Sequence, residues 1–231
     1  MPPGTELRQI RFRRPPGATD ILLIRHGESQ AARPDVPFPL VDGLGDPELH
    51  PDGRAQAGAV ARRLADEDIA AIYVTTLRRT AQTAAPLAGL LGLTPIVEPD
   101  LREVHLGDWE GGVYRSRVAA GDPLLAEVLH HQRWDVIPGA EPAEAFGARV
   151  RNALDRVAAA HPDQLVAVFT HGGVIGEALA QTASSARLAF SAADNASISQ
   201  VIIGPGLRTV RRFNDTSHLA QTLASVAAPL R

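Results

Sequence analysis

The chain has no cysteine among its 231 residues, which excludes disulfides, thiolate metal ligands and cysteine nucleophiles. It also lacks any apolar run close to the roughly 20 residues that cross a bilayer. Residues 1–17 contain no apolar segment of the kind that secretory signals carry. From these absences we expect a cytoplasmic protein.

An excess of one charge is also lacking. Charged residues make up 21% of the chain and the net charge is -3, so the composition favours neither nucleic acid nor a membrane surface as a partner. Apolar residues make up 45%, which is enough for one large core. We expect one domain over residues 20–231, preceded by a basic extension of residues 1–19.

The predicted extension is rich in arginine. Its four arginines are Arg8, Arg11, Arg13 and Arg14. Ile10 and Phe12 alternate with two of them, as in a half-exposed edge strand. An anion-binding arm is the alternative. Because short basic runs are usually solvated, we predict an edge strand or a loose tail.

Short apolar runs alternate with amphipathic helical patterns along the chain. Strands are predicted at 21–24, 70–74, 95–97, 164–169, 197–203 and 208–213. Helices are predicted at 51–65, at 77–91, over 146–157 and after residue 173. This alternation is typical of a sheet with helices on both faces. The predicted fold is therefore of the α/β class, a three-layer α/β/α sandwich with a mostly parallel central sheet.

Cationic and imidazole side chains follow three of the predicted strands. Arg25 and His26 follow the first, Arg79 the second and His171 the run at 164–169. Because parallel strands bring their carboxyl ends to one edge, we expect these side chains to meet there. Each element alone is more typical of an ordinary turn or a solvated helix residue. Together they predict a phosphate site, since guanidinium groups match phosphate oxygens.

Catalysis at such a site requires a nucleophile and a proton donor. An imidazole can attack phosphorus through one nitrogen when a hydrogen bond on the other fixes the tautomer. A carboxylic acid must then protonate the leaving oxygen. Glu103, which follows the predicted strand at 95–97, is the acid best placed by pattern. Without these two groups the cations would form a phosphate-binding module.

Six segments from residue 20 onward form a pattern with a fixed order. They are LIRHGES at 23–29, DPELHPDGRAQA at 46–57, TLRRTAQTA at 76–84, LRE at 101–103 with GDWEG at 107–111, FTHGGVI at 169–175, and NAS at 195–197 with NDTSHL at 214–219. This pattern resembles the histidine phosphatase superfamily, in its phosphoglycerate-mutase-like branch (branch 1). One short motif would be weak, but six in the right order are specific.

The resemblance implies roles for particular residues. His26 would be the nucleophile that carries a phosphohistidine, and Glu103 would donate the proton and later activate water. Arg25, Arg79 and His171 would hold the phosphoryl oxygens. Gly172 opens a predicted helix, so from its position alone we expect its backbone N–H to bind there too. The resemblance implies no metal and no cofactor.

Two positions depart from the family pattern. Many relatives have Asn where this chain has Ala32, so the site lacks an amide that would touch the phosphate. The family's PGGES stretch reads PGAEP at 138–142. Both changes concern substrate handling.

Residues 113–141 match no motif, and we expect them to form a cap over the site. Within this segment His130 and His131, together with Arg133 and Trp134, could contact a substrate. The alternative is a solvated helix face with Trp134 packed beneath it.

The expected activity is hydrolysis of a small phosphomonoester through a phosphohistidine on His26. The sequence Trp109-Glu110-Gly111 resembles the phosphatase members of the family. The nearest alternative is a phosphoglycerate mutase, which returns the phosphoryl group to a substrate. An alternative of another class is a catalytically inactive relative that binds phosphate or protein. The expected partner is a small phosphorylated substrate, and a homodimer is compatible with the sequence.

Overall fold

A computed structural model describes residues 9–219 of the chain. The strands are β1 (Thr19–Arg25), β2 (Leu40–Val41), β3 (Leu44–Gly45), β4 (Ile69–Val74), β5 (Ile96–Val97), β6 (Leu165–Thr170), β7 (Ile198–Gly204) and β8 (Leu207–Asp215). The helices are α1 (Pro51–Leu64), α2 (Arg78–Leu91), α3 (Val113–Ala120), α4 (Leu124–His131), α5 (Ala143–Ala160) and α6 (Gly172–Ala183).

The central sheet has six strands in the order β5-β4-β6-β1-β7-β8. Strands β5, β4, β6 and β1 pair in parallel, whereas β7 pairs antiparallel with both β1 and β8. Helices cover both faces, so the predicted α/β sandwich with a mostly parallel sheet is confirmed. Strands β2 and β3 form a separate small hairpin.

The apolar residues of β1 supply two separate cores. Ile21 and Leu23 pack on the face that α5 and α6 cover. Leu22 and Ile24 pack on the opposite face, against α1 and α2. Successive side chains of a strand point to opposite faces, so a continuous apolar run fits a strand that is buried on both sides.

The strand order determines where the ends of β1, β4 and β6 lie. Because β6 pairs in parallel with both β1 and β4, all three strands end at the same edge of the sheet. The chain after β1 stays joined to that edge, since His26 N donates to Thr170 O over 3.0 Å. Residues that follow these strands are therefore brought together, as the pattern of the sequence predicted.

The segment 113–141 forms α3, α4 and a short turn, and it has a small core of its own. Val128 and Ile137 pack there with Trp109, and Tyr114 and Trp134 are half-buried against them. The aromatic rings meet edge to face or tilted, with centroids 6.2 Å apart for Trp109 and Tyr114 and 6.1 Å apart for Tyr114 and Trp134.

Of the two structures predicted for the run around Ile10 and Phe12, an edge strand or a loose tail, the edge strand is not formed. Residues 9–18 form no strand, and β1 begins at Thr19, the last residue of the predicted extension. Pro15 and Pro16 cannot donate to a ladder, and the chain turns at Gly17, whose φ is +75°. Of the arginines in the predicted extension, Arg8 lies outside the described residues.

The basic segment is instead held by contacts with neighbouring loops. Arg14 donates to the carbonyl of Asp163, and Gly17 N donates to the Asp163 side chain over 2.7 Å. The guanidinium of Arg211 lies 4.0 Å from the centre of the Phe12 ring. Among residues 9–219, no helix combines the length and the apolar character that crossing a membrane requires.

Helix α1 packs on the chain just after β1 through a pair of glycines. A Cβ on Gly53 would lie 2.0 Å from the carbonyl oxygen of Glu28, and a Cβ on Gly27 would lie 2.5 Å from that of Gly53. Backbone atoms make both contacts, so no side-chain rotation could relieve a clash. Helix α1 can therefore approach the loop that carries His26 only because Gly27 and Gly53 have no side chain.

We expect Gly53→Ala to lower the free energy of unfolding by roughly 1–3 kcal/mol through this clash. Gly58→Ala is the matched control on the same helix, where the nearest atom is the tip of the Arg62 side chain at 3.4 Å. That change should raise the free energy of unfolding by about 0.5–1 kcal/mol through helix propensity. Urea unfolding measures both, and equal effects of the two changes would contradict the packing argument.

Candidate active site

His26 lies directly beyond β1 with its imidazole buried. Its Nδ1 is 2.8 Å from the carbonyl oxygen of Gly27. A carbonyl only accepts hydrogen bonds, so Nδ1 holds the proton and Nε2 carries the free electron pair. Burial, followed by the nearby charges of Arg79 and Arg25, holds the pKa of His26 well below its usual value. The ring is therefore neutral at neutral pH.

The backbone around His26 is fixed from two sides. Gly27 N donates to the Thr83 hydroxyl on α2 over 3.0 Å. On the other side, the amide of Asn195 donates to the carbonyl of His26 over 3.0 Å. Asn195 belongs to one of the six motif segments, and its contact gives that segment a positioning role.

Arg25 and Arg79 bring two guanidinium groups to the same edge. Arg25 donates to the carbonyl of Ala193, and Arg79 donates to that of Gly45 over 2.8 Å. Burial lowers the pKa of Arg25, and burial lowers the pKa of Arg79 to about 10. Both remain cations at neutral pH. Among the described residues, the buried Nε of Arg25 has no hydrogen-bond partner, so it is a donor available to an anion.

His171 follows β6 and is fully buried. Its ring centre is 5.3 Å from that of His26, in an edge-to-face arrangement. Nε2 lies 3.0 Å from the Thr75 hydroxyl, whereas the buried Nδ1 has no partner among residues 9–219. Burial, with the charge of Arg79 next in size, holds the pKa of His171 well below its usual value. When Thr75 donates to Nε2, Nδ1 carries a proton that it can donate to a ligand.

The Glu103 carboxylate is oriented by backbone N–H groups. Gly173 N, in the first turn of α6, donates to Oε2 over 3.2 Å, and Val104 N donates to Oε1 over 3.0 Å. A Cβ on Gly173 would lie 2.4 Å from Oε1, so glycine is required for this approach. Gly172 lies beside Arg25 instead, where an added Cβ would make an ordinary contact at 3.5 Å.

Sequence reasoning missed Arg149, which holds the main chain that carries Glu103. Its guanidinium on α5 donates to the carbonyls of Asp100, Arg102 and Glu103 over 2.6 to 2.8 Å. Two further bonds, at 2.7 and 2.8 Å, join it to the carboxylate of Glu141. Glu141 belongs to the altered stretch 138–142, where the acid of the family pattern is kept. That acid was the only sign in the sequence that an arginine would pair there.

Arg115, on α3, is a second residue that sequence reasoning missed. It donates to the Ser29 hydroxyl and to the Gln30 carbonyl over 2.6 Å each. Its charge contributes to lowering the pKa of His26 and of Arg79. No motif marks this position, and the contact joins residues 86 apart in sequence.

Two hollows meet at His26. An open groove of about 820 Å³ is lined by Ala31, Ala32 and other small residues, and a cavity of about 560 Å³ extends from Glu103 beneath α3 and α4. Arg25, His26 and Arg115 line both of them. Ala32 therefore borders the groove, and Arg115 supplies a cation to both hollows.

The segment 113–141 borders the cavity, but its histidines do not. Tyr114 and Trp134 line the cavity, whereas His130 and His131 are exposed and line neither hollow. The interpretation of His130 and His131 as substrate contacts is therefore wrong in this structure. They lie on a solvated face, with the half-buried Trp134 packed in the small core of the segment.

One group of side chains in the described part of the chain has the spacing of a metal site. Ligand atoms of Glu28, His50 and Asp52 lie within 4.8 Å of one another. His50 also accepts a hydrogen bond from Asp52 N over 3.3 Å and so caps α1. The cap gives His50 and Asp52 a structural role at the start of the helix.

The geometry agrees with comparisons to known proteins. Residues 21–216 match the model of the histidine phosphatase superfamily (branch 1), and the chain belongs to this family. It is 34% identical over 210 residues to phosphoglycerate mutase-like protein 4 of Arabidopsis thaliana, with 88% of each chain covered. It is 31% identical over 212 residues to the metal-independent phosphoserine phosphatase of the same plant, with 87% of this chain and 84% of the relative covered.

A solved structure is also similar. The mycobacterial glucosyl-3-phosphoglycerate phosphatase aligns with a TM-score of 0.72 at 26% identity, over 86% of this chain and 100% of that one. The family predicted from the six segments is thereby confirmed. The named relatives are phosphatases and a mutase-like protein, which places this chain among phosphatase- and mutase-type enzymes.

The two buried imidazoles make stability depend on pH. In the unfolded chain His26 and His171 each bind a proton near pH 6.5. In the folded chain they do so only at a much lower pH, because both pKa values are well below the usual value. Stability is therefore fully present above about pH 6.5 and falls as the pH drops below it, by about 1.4 kcal/mol per pH unit for each histidine. His26→Gln and His171→Gln should each remove one such contribution from the slope.

Urea unfolding in phosphate-free buffer between about pH 7 and 5 measures this slope. His130→Gln, a change at an exposed histidine outside the site, is the control and should leave the slope as it is in the unaltered chain. A slope that is the same with and without His26 would show that this ring is charged in the folded state.

Proposed function

We propose that the chain is a phosphatase that hydrolyses phosphomonoesters through a phosphohistidine on His26. The observation that carries this proposal is the state of the ring. His26 Nδ1 donates to the carbonyl of Gly27, so Nε2 carries the free electron pair, in a ring whose centre is 5.3 Å from that of His171 and which lies close to the charges of Arg79 and Arg25. A free nitrogen beside two cations suits attack on a phosphoryl group whose oxygens those cations neutralise.

The first step forms the bond from Nε2 to phosphorus and breaks the bond from phosphorus to the ester oxygen. Glu103, protonated at this stage, gives its proton to that oxygen as the bond breaks. In the second step the carboxylate takes a proton from water, the water oxygen attacks phosphorus and the bond to Nε2 breaks. Phosphate leaves, and His26 and Glu103 return to their starting states.

The open groove supports hydrolysis over mutase activity. A mutase must keep water from its phosphohistidine while an intermediate turns round in the site. Here a groove of about 820 Å³, bordered by Ala31, Ala32 and Ala119, opens His26 to solvent and shares Arg25 and Arg115 with the cavity. Water can therefore enter through the groove once the organic product has left, and it can take the place beside Glu103 that the ester oxygen occupied.

Rapid quenching at neutral or alkaline pH during turnover should trap a phosphoprotein that survives base and decays in acid. His26→Ala should abolish both this adduct and phosphate release, because the attacking nitrogen is gone. His131→Ala, a change at an exposed histidine on α4, is the control and should retain both. Mass spectrometry of the quenched peptides identifies the phosphorylated residue. An adduct that persists in His26→Ala would show that another residue is the nucleophile.

The same preparation separates phosphatase from mutase. With 3-phosphoglycerate as substrate, we expect free phosphate to appear without a bisphosphoglycerate primer. Isomerisation that outruns phosphate release and requires the primer would establish the mutase.

The contact between Gly173 and Glu103 gives a test of the proton donor. Gly173→Ala should push the carboxylate out of place and slow phosphorylation of His26 by an alkyl phosphate far more than by p-nitrophenyl phosphate. The nitrophenolate leaves without protonation, and general acid catalysis typically contributes about 100- to 10,000-fold. Gly172→Ala is the matched control on the same turn and should show a much smaller contrast. The rate of the pre-steady-state burst is the measurement, and equal slowing for both esters would reassign the acid.

A further inference from the structure

The cavity beside His26 continues well past the space that a phosphoryl group needs. Gly172, Gly173, Gly176 and Glu177 all line it, so it follows one face of α6. At a rise of 1.5 Å per residue, the distance along the helix from Gly172 to Glu177 is about 7.5 Å. The cavity therefore has a phosphate end at His26 and a far end at Glu177.

The walls between these ends are mainly apolar. Residues of the 113–141 segment form one side, namely Tyr114, Val118, Leu125, Val128, Leu129 and Trp134. Glu103 lines the cavity but not the open groove, so the ester oxygen that it protonates, with its organic group, faces the cavity. A volume of about 560 Å³ with such walls suits a ring system more than a three-carbon acid.

Glu177 is a buried carboxylate at the far end for which the proposed reaction has no use. Its side chain is 6% exposed, and Oε1 accepts from Gln181 over 2.7 Å and from Arg187 over 3.2 Å. Within residues 9–219, all its hydrogen bonds are made to Oε1, and Oε2 accepts none. A buried carboxylate with an unused oxygen on a cavity wall is a ready acceptor for a ligand donor.

We propose that the cavity binds the organic group of the substrate, and that this group is aromatic or otherwise apolar and ends in a hydroxyl or amino group facing Glu177. The proposal rests on the phosphatase function proposed above and names its substrate class. The phosphoryl group lies at His26, the apolar part lies against α3 and α4, and the terminal donor binds Oε2.

Three aryl esters with leaving groups of similar acidity test the class. The value of kcat/KM should rise about 10-fold or more from phenyl to 2-naphthyl phosphate, because the second ring fills the apolar cavity. It should rise about 10-fold again for 6-hydroxy-2-naphthyl phosphate, whose hydroxyl can reach a charged acceptor. Phosphate release is the measurement.

Variants of the cavity wall test whether the second ring binds there. Val118→Asp puts a charge on the cavity wall and should remove the preference for naphthyl over phenyl. Val113→Asp is the control on the same helix, at a residue that lines neither hollow. Leu129→Asp repeats the test at a cavity residue that is 47% exposed, where a charge is least able to disturb folding.

Glu177→Gln tests the far end. The amide oxygen should stay with Arg187 and Gln181, which turns its NH₂ toward the cavity and replaces an acceptor with a donor. The gain from the 6-hydroxyl should then disappear. Glu144→Gln is the control, because Glu144 also pairs with Arg187 but does not line the cavity.

The outcomes separate this proposal from the proposed function. Two results would overturn the proposed substrate class but not the proposed phosphatase function. One is hydrolysis of phenyl phosphate with no preference for the naphthyl ester, and the other is a gain from the 6-hydroxyl group that persists in Glu177→Gln. Failure of all three esters to release phosphate, with no trapped adduct on His26, would overturn both.

Discussion

The hydrogen bond from His26 Nδ1 to the Gly27 carbonyl is the contact on which the rest of the site depends. It fixes one tautomer, and it does so within the loop that directly follows β1. The neighbouring guanidinium groups would repel a charged ring, and burial would leave it unsolvated, so both effects keep the imidazole neutral. The cations that suit a phosphate are thus the same ones that keep the proposed nucleophile unprotonated.

Close backbone packing brings the remaining groups to this ring. Gly27 and Gly53 let α1 approach the His26 loop, and Gly173 lets the Glu103 carboxylate reach the start of α6. At each of these places a single methyl group would meet atoms closer than contact distance. These glycines are required because neighbouring atoms occupy the position of a Cβ. The flexibility of the glycine backbone is not the reason.

The proposed chemistry and the proposed substrate selection lie in different parts of the fold. The groups proposed to react follow strands of the central sheet or lie beside the start of α6, and the two main cores pack against these elements. The cavity walls come largely from α3 and α4, whose small core of Trp109, Val128 and Ile137 is separate from those cores. Residues in this segment can therefore change with little effect on the sheet, which suits a region that selects the organic group of a substrate.

The sequence by itself determined the six strands of the central sheet, the main helices and the edge where the strands end. The run Ile21–Ile24 is apolar throughout because both faces of β1 are buried, and His26 and His171 lie together because parallel neighbours end at one edge. The edge strand considered for Ile10 and Phe12 is not formed, because alternation over a few residues does not show whether a partner strand is available.

Only the tertiary structure decided which distant side chains meet. Arg149 reaches Glu103 across 46 residues and Arg115 reaches Ser29 across 86. The place of Glu177 on a cavity wall likewise depends on how α3 and α4 lie over α6. Local periodicity indicates which face of an element is buried. Contacts made by long side chains depend on how whole elements pack together, and local patterns in one sequence do not indicate that packing.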